Sequence, residues 1–233
     1  MLKIENTDVY GWEAAIRGMR NPKNSWDKMD STFDPIHLGE NDYRLMRQLA
    51  DAGQVHGKFL RMIGVTIDVT APLYWWKEFD TYKVGTVANS CSTMHKIQAK
   101  EFTREDFSVE HLIGFDDDGH GFGVPREPLG EEHIPAEDYS YETCPAWLFD
   151  NLLSVLNACR DKFNETYDKK YWWQMIQLLP TSYNQKRTVQ LNYAVLKNIH
   201  EYRRNHKLDE WHTFCDWIEQ LPYSELIIGG SEL

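Results

Sequence analysis

The sequence predicts an α/β (α+β) fold, a small sheet joined to a helix-rich C-terminal half. Three observations predict it. Ile63, Val65, Ile67 and Val69 alternate with Gly64, Thr66, Asp68 and Thr70, the two-residue period of a half-buried strand rich in branched side chains. Leu2 to Glu5 reads as a second, shorter strand. From Pro145 onward, apolar residues recur three and four apart in successive stretches, the period of helices with one buried face.

The elements follow in order. Asp8 is placed to cap a helix carrying Val9, Trp12, Ala15, Ile16 and Met19 at helical spacing. The Asn-, Ser-, Asp- and Pro-rich stretch from Asn21 to Pro35 reads as irregular. Asn41 or Asp42 opens a helix holding Leu45, Met46 and Leu49 that stops near Gly53. The strand at 63–70 ends at Ala71-Pro72, and Pro72 suits the first position of a helix with Leu73, Tyr74, Trp75, Trp76 and Phe79, where its missing N–H costs nothing. Residues 85–92 are small and polar. Four helices are then expected: Pro145 to Phe163, Lys170 to Leu179, Lys186 to about Tyr202, and Leu208 to Leu221.

Length and charge narrow the function. The 233 residues suit one domain, 1–233, with a loop or insertion near 114–139 where Asp, Glu, Gly, Pro and His dominate. With 25 Lys and Arg against 36 Asp and Glu, the formal net charge is −11, which repels a phosphate polymer and argues against nucleic-acid binding. No segment approaches the ~18 apolar residues of a membrane span, and the acid-bearing N-terminus is unlike a signal peptide, so a cytoplasmic protein is expected. Cys91, Cys144, Cys159 and Cys215 form no C-x-x-C pair, which speaks against disulfides and a thiolate metal site. Asp116, Asp117, Asp118, His120 and His133 offer oxygen and imidazole ligands without regular spacing, so a solvated acidic loop is expected rather than a metal site. The 9 Trp, 12 Tyr and 10 Phe suit subunit interfaces as well as cores. The Trp75-Trp76 and Trp172-Trp173 pairs are assigned to packing.

Toward the C-terminus the chain reads Leu179-Pro180, then Asn192, Leu196, Asn198, Arg203, His206 and Glu210-Trp211-His212-Thr213-Phe214 through Ile218. Upstream it reads His56, the alternating strand, Ala71-Pro72, Glu78-Phe79, Thr81-Tyr82-Lys83, Asn89 and Ser92. In order and spacing these stretches, about half the chain, resemble the flavin-dependent thymidylate synthases. That family's C-terminal pattern runs L-P, an Asn-rich helix closing with L-R, a His, and A-Q-W-E-I-R-x-Y-A-x-x-I. Its upstream segment runs H-E-x-P-F-E-H, a strand, A-P and Q-W-x-R-H-R-x-x-S-x-N-E-x-S-x-R. This chain departs at Glu78-Phe79 for Q-W, Thr81-Tyr82-Lys83 for R-H-R, Thr86 for Ser, Ser90 for Glu and Met94 for Arg. One residue is extra before Asn89 and one is missing between Arg203 and His206.

The resemblance implies a flavin-dependent methyltransferase of the thymidylate synthase type. Its expected ligands are FAD, held between subunits of a homotetramer, deoxyuridylate stacked on the flavin, NADPH as reductant and methylene-tetrahydrofolate as carbon donor. It implies a catalytic and nucleotide-contacting role for Arg203, flavin contacts from His56, Lys83, Asn89, Asn192, Asn198 and His206, substrate contacts from Glu78 and Ser92, and no metal. Such chemistry is carried by the cofactor, so Cys91 need not be a nucleophile and is expected to be a small buried or partly buried thiol. Arginine's fixed fork suits a pyrimidine carbonyl or an anion, amides offer both donor and acceptor to a flavin edge, and ionised Glu78 accepts only. Met94 leaves the nucleotide phosphate without the family's cation there, for which Arg17, His95 or Lys96 are the candidates to substitute. The alternative is a non-methylating flavin- or nucleotide-binding scaffold on the same fold.

Overall fold

A computed structural model describes residues 2–114 and 144–229, which divide into two compact units. One is built from Leu2–Cys91 with Gln185–Leu233, the other from Ser92–Asn184. The expected loop at 114–139 lies outside the described residues except for Gly114.

The first unit holds a four-stranded sheet. β1 (Lys3–Tyr10) runs antiparallel to β4 (Gly64–Pro72) and is longer than the expected Leu2–Glu5. Asp8 pairs with Thr66 inside this strand and caps no helix. The register slips between Glu5 and Asp8, where Asn6 takes φ 53°, so a bulge carries β1 past the expected end. The turn comes at Gly11, φ 88°, whose missing side chain leaves room for the Met62 carbonyl only 2.2 Å from where a Cβ would sit. Helix α1 (Trp12–Arg20) then buries Trp12, Ala15, Ile16 and Met19, as their spacing predicted, whereas Val9, expected on the same helical face, lies in β1 opposite Val65.

The stretch 21–35 is less irregular than expected. It contains two single 3₁₀ turns and the first strand of a minimal hairpin, β2 (Thr32–Phe33) with β3 (Ile36–His37). Asp42, fully buried, ties this loop down. Its carboxylate accepts from Arg20 Nε at 2.7 Å, the backbone N–H of Asp30 and of Ser31 at 3.0 Å each, and Ser31 Oγ at 2.8 Å. Arg20 Nη2 lies 2.6 Å away and the guanidinium is itself buried. Asp42 therefore sits inside helix α2 (Glu40–Asp51) rather than opening it. The N-cap is Gly39, and the Asp30 carboxylate accepts from the Asn41 and Asp42 amides at 2.9 and 3.0 Å.

β4 buries Val65, Ile67, Val69 and Ala71 and leaves Thr66, Asp68 and Thr70 half-buried, the alternation read from sequence. Pro72 ends the strand in extended conformation and caps helix α3 (Leu73–Phe79) instead of entering it. Short β5 (Val87–Ser90) pairs antiparallel with β6 (Asn184–Asn192), and the sheet order is β1-β4-β6-β5. Here the expectation of one helix from Lys186 to Tyr202 is corrected: strand β6 comes first, and helix α7 begins only at Tyr193, running to Arg203. Val189 and Leu191 are buried on alternate positions, and two polar residues share that alternation. Gln185 donates to the Cys91 carbonyl at 2.9 Å, and the Arg187 guanidinium stacks 4.2 Å from the Trp76 ring. Helices α8 (Asp209–Glu219) and α9 (Glu225–Ile228) complete the unit. Its core joins the inner sheet face to Trp75, Trp76, Phe79, Tyr193, Trp211 and Phe214, all within 2% of full burial.

The second unit contains helix α4 (Thr93–Lys96) and the long pair α5 (Pro145–Thr166) and α6 (Lys169–Leu178). Ile97, Phe102, Phe107, Phe149, Leu156 and Met175 form its core. Asn157 fixes the Phe102 backbone from both sides, accepting its N–H at 2.8 Å and donating to its carbonyl at 2.9 Å. Of the tryptophan pair there, Trp172 is half-buried and Trp173 is 43% exposed. Cys91 is exposed, contrary to its expected burial, because it follows directly on β5, an edge strand whose four residues are all exposed. Cys215 is buried in α8, and burial pushes its thiol up to about 11.

Candidate functional site

The first unit gathers polar and aromatic side chains where α3, α7 and α8 meet. Arg203 is the last residue of α7, and its cationic group favours the carbonyl end of that helix. Arg203 Nη1 donates to Glu78 Oε2 at 2.8 Å and Nε donates to the Tyr82 hydroxyl at 2.9 Å. The guanidinium lies 4.8 Å from the Trp211 ring centroid and 5.6 Å from that of Tyr82, so charge meets π density at both rings.

Glu78 is the hub of this cluster. Oε2 also accepts from Trp211 Nε1 at 3.0 Å and faces His206 Nε2 at 3.3 Å. His206 Nδ1 accepts the Leu208 amide N–H at 3.2 Å, so the neutral ring carries its proton on Nε2, toward Glu78. The His206 carbonyl is held by His212 Nε2 at 2.7 Å. Two residues before His212 on α8, Glu210 is nearly buried and accepts from the Tyr74 hydroxyl. Three of the residues singled out from sequence, Arg203, Glu78 and His206, thus come together.

Others have different surroundings. Asn192 caps α7, its Oδ1 accepting the Val195 N–H at 3.1 Å, which leaves the amide nitrogen for other partners. With a rise of about 1.5 Å per residue, the helix between Asn192 and Arg203 separates them by roughly 16 Å. Asn198, on the same helix, is exposed. So are His56, which precedes a 3₁₀ turn at Gly57–Arg61, Lys83, and Asn89 on β5 opposite Thr188. None of these four side chains has a hydrogen-bond or ion-pair partner among the described residues. Lys83 and Asn89 flank Gly85, φ 83°, where a Cβ would fall 3.1 Å from both Asn192 Nδ2 and Val195 Cγ2. In the second unit, Ser92 caps α4 by accepting the His95 N–H at 3.2 Å, and Met94 is 49% exposed. Of the candidate substitute cations, the Arg17 side chain is 59% exposed and, among the described residues, pairs only with Glu13 at 3.4 Å, while His95 and Lys96 are exposed.

Tyr82 is the site residue that sequence reasoning missed. It stands within the Thr81-Tyr82-Lys83 triplet, three residues past the end of α3, and nothing in its type or spacing announces the contact with Arg203. Trp211 enters the sequence reading only through the C-terminal pattern. The candidate metal ligands Asp116, Asp117, Asp118, His120 and His133 lie outside the described residues; among the described residues no cluster of three or more His, Cys, Asp or Glu is placed to hold a metal ion. No described helix is long and apolar enough to cross a membrane.

This arrangement of sheet and helices is the fold of the flavin-dependent thymidylate synthases. The chain is similar to thymidylate synthase X (ThyX) from Helicobacter pylori, solved with FAD and dUMP, at a TM-score of 0.63 and 14% identity over 98% of each chain. It is also similar to the UMP/dUMP methylase PolB from Streptomyces cacaoi, solved with 5-Br UMP, at a TM-score of 0.57 and 13% identity, covering 94% of this chain and 88% of that one. No family model and no curated protein matches the sequence.

Proposed function

We propose that the protein is a flavin-dependent enzyme that methylates a uracil nucleotide, with FAD as cofactor, deoxyuridylate as substrate, NADPH as reductant and methylene-tetrahydrofolate as carbon donor. The observation that carries this reading is the Arg203–Glu78–His206 cluster at the end of α7, on a fold shared with ThyX and PolB. The donor set fits a flavin. Among the described residues, Asn89 and Asn198 have no side-chain partners and offer amides for the edge of an isoalloxazine, Asn192 keeps a free amide nitrogen, and Lys83 is an unpaired cation for a diphosphate. His56 adds an exposed imidazole. When bound, FAD supplies the reducing equivalents that turn a transferred carbon into a methyl group. Arg203 orients the pyrimidine by donating to a ring carbonyl. Tyr82 and Glu78 hold that guanidinium, and Trp211 excludes water from one of its faces. A homotetramer in which Trp and Tyr side chains are buried between subunits accompanies it, with a single catalytic domain over 1–233, a cytoplasmic location, and neither membrane nor nucleic-acid polymer among its partners.

A second reading, a flavin- or nucleotide-binding scaffold without methylation, draws on the same region. Thr81 spends its hydroxyl on the Glu78 carbonyl at 2.7 Å, closing α3, and Lys83 is the one cation of the triplet. The test is titration with FAD followed by turnover with deoxyuridylate, NADPH and methylene-tetrahydrofolate. A shifted flavin spectrum, a raised melting temperature and thymidylate formation support the enzyme. Binding of FAD or deoxyuridylate with no thymidylate supports the scaffold, and absence of binding and of thermal shift with both ligands refutes both readings.

A further inference from the structure

The two oxygens of Glu78 have different surroundings. Oε2 is spent on Arg203 Nη1, Trp211 Nε1 and the facing His206 Nε2. Oε1 accepts nothing from the described residues, and the side chain is 32% exposed. Arg203 is divided in the same way. Its Nε and Nη1 are committed to Tyr82 and Glu78, whereas Nη2 has no partner among the described residues. The ion pair therefore leaves one acceptor and one donor unspent, with the two formal charges already cancelling.

We infer that Glu78 is a specificity-determining residue that, together with Arg203, reads an imide edge, a ring N–H beside a carbonyl. Oε1 accepts from the ring N–H and Nη2 donates to the neighbouring C=O. This rests on the proposed assignment of Arg203 as a ligand contact and says which part of the ligand it meets. A phosphate is disfavoured here, because an acceptor-only carboxylate faces it and the guanidinium charge is already neutralised. A ring nitrogen that carries a methyl group in place of hydrogen is disfavoured too, since it leaves the carboxylate oxygen without a donor. Two ligands of the proposed reaction carry this edge, the uracil ring and the pyrimidine ring of isoalloxazine.

The experiment compares deoxyuridylate with its N3-methyl analogue, and FAD with N3-methyl FAD, by calorimetry on the wild-type protein and on Glu78→Gln. In that variant the amide oxygen stays toward its donors, Arg203 and Trp211, so the NH₂ group replaces the free acceptor. In the wild type, at least one unmethylated ligand is expected to bind about tenfold or more tighter than its methylated partner, as for loss of a hydrogen bond to a charged group. Discrimination in the nucleotide arm places uracil on the edge, and discrimination in the flavin arm places isoalloxazine there. In Glu78→Gln the preference falls to within about threefold while the melting temperature is kept. Binding without discrimination in both arms overturns the inference and leaves the proposed function standing. Preserved discrimination in Glu78→Gln overturns the role of Glu78, and absence of binding in every arm overturns the inference and the proposed function together.

Discussion

Removing the Asp42 carboxylate is expected to destabilise the sheet unit by about 3–5 kcal/mol, the typical cost of breaking a buried ion pair from one side. Asp42→Ala leaves the Arg20 guanidinium, 3% exposed, without its counter-charge, and it strips acceptors from the Asp30 and Ser31 amides and the Ser31 hydroxyl. Against a usual total of about 5–15 kcal/mol, that is a third or more of the stability. Most of the loss comes from the stranded cation, since the orphaned neutral donors belong to exposed Asp30 and half-buried Ser31, where water can replace the lost acceptor. It follows that Arg20→Met placed on top of Asp42→Ala should restore stability, because it removes the orphan and fills its volume with an apolar chain. Urea unfolding followed by tryptophan fluorescence gives the midpoints and slopes for the wild type, both single variants and the double. A loss below about 1 kcal/mol for Asp42→Ala, or a double variant less stable than that single variant, refutes the reasoning.

Two further outcomes follow from the same structure. Hydrogen bonds from Thr188 and Asn6, and then the Lys186 ammonium, hold the Asp68 carboxyl below its usual range. Its stabilising contribution is therefore complete above the unfolded value of about 3.9 and is lost as pH falls through the lower folded value. Asp68→Asn should flatten the acid limb of stability against pH and leave the slope above about pH 5 unchanged, as denaturant midpoints across that range will show. Gly85→Ala puts a side chain at positive φ and against Asn192 and Val195. It should cost about 1–2 kcal/mol, read by thermal unfolding, and, under the proposed function, weaken FAD binding by shifting Lys83 and Asn89.

Strand β4 and the buried face of α1 from Trp12 onward were legible because their apolar residues keep one period without interruption. β6 was not. Its first two positions in the alternation that Val189 and Leu191 continue are Gln185 and Arg187, and only their partners, a backbone carbonyl and an indole face, make them acceptable there. A pattern of apolar residues does not register such pairs, and the helical spacing of Leu196 and Ile199 then extends backward over the strand. The candidate site divides similarly. Arg203, Glu78 and His206 stand out in the sequence because they occupy positions in an ordered pattern of residue types, but the ion pair itself depends on bringing α3 and α7 together across 125 residues of chain. Tyr82 occupies a position in that pattern only as a departure from it, and its contact with Arg203 exists only in three dimensions.

The chain leaves the sheet after β5 and re-enters it at β6, two antiparallel neighbours joined there by Cys91 N–H to the Lys186 carbonyl at 2.9 Å. In topological terms the chain between Ser92 and Asn184 takes the place of a hairpin's loop, and its described residues form a compact unit with a core of their own. A loop with adjoining ends is the kind of place where evolution exchanges, lengthens or deletes modules while the host scaffold keeps its pairing. Ser92 and Met94 lie in that inserted segment, whereas Arg203, Glu78, Tyr82 and His206 lie in the unit that carries the sheet. Residues of the two parts are thus free to diverge at different rates.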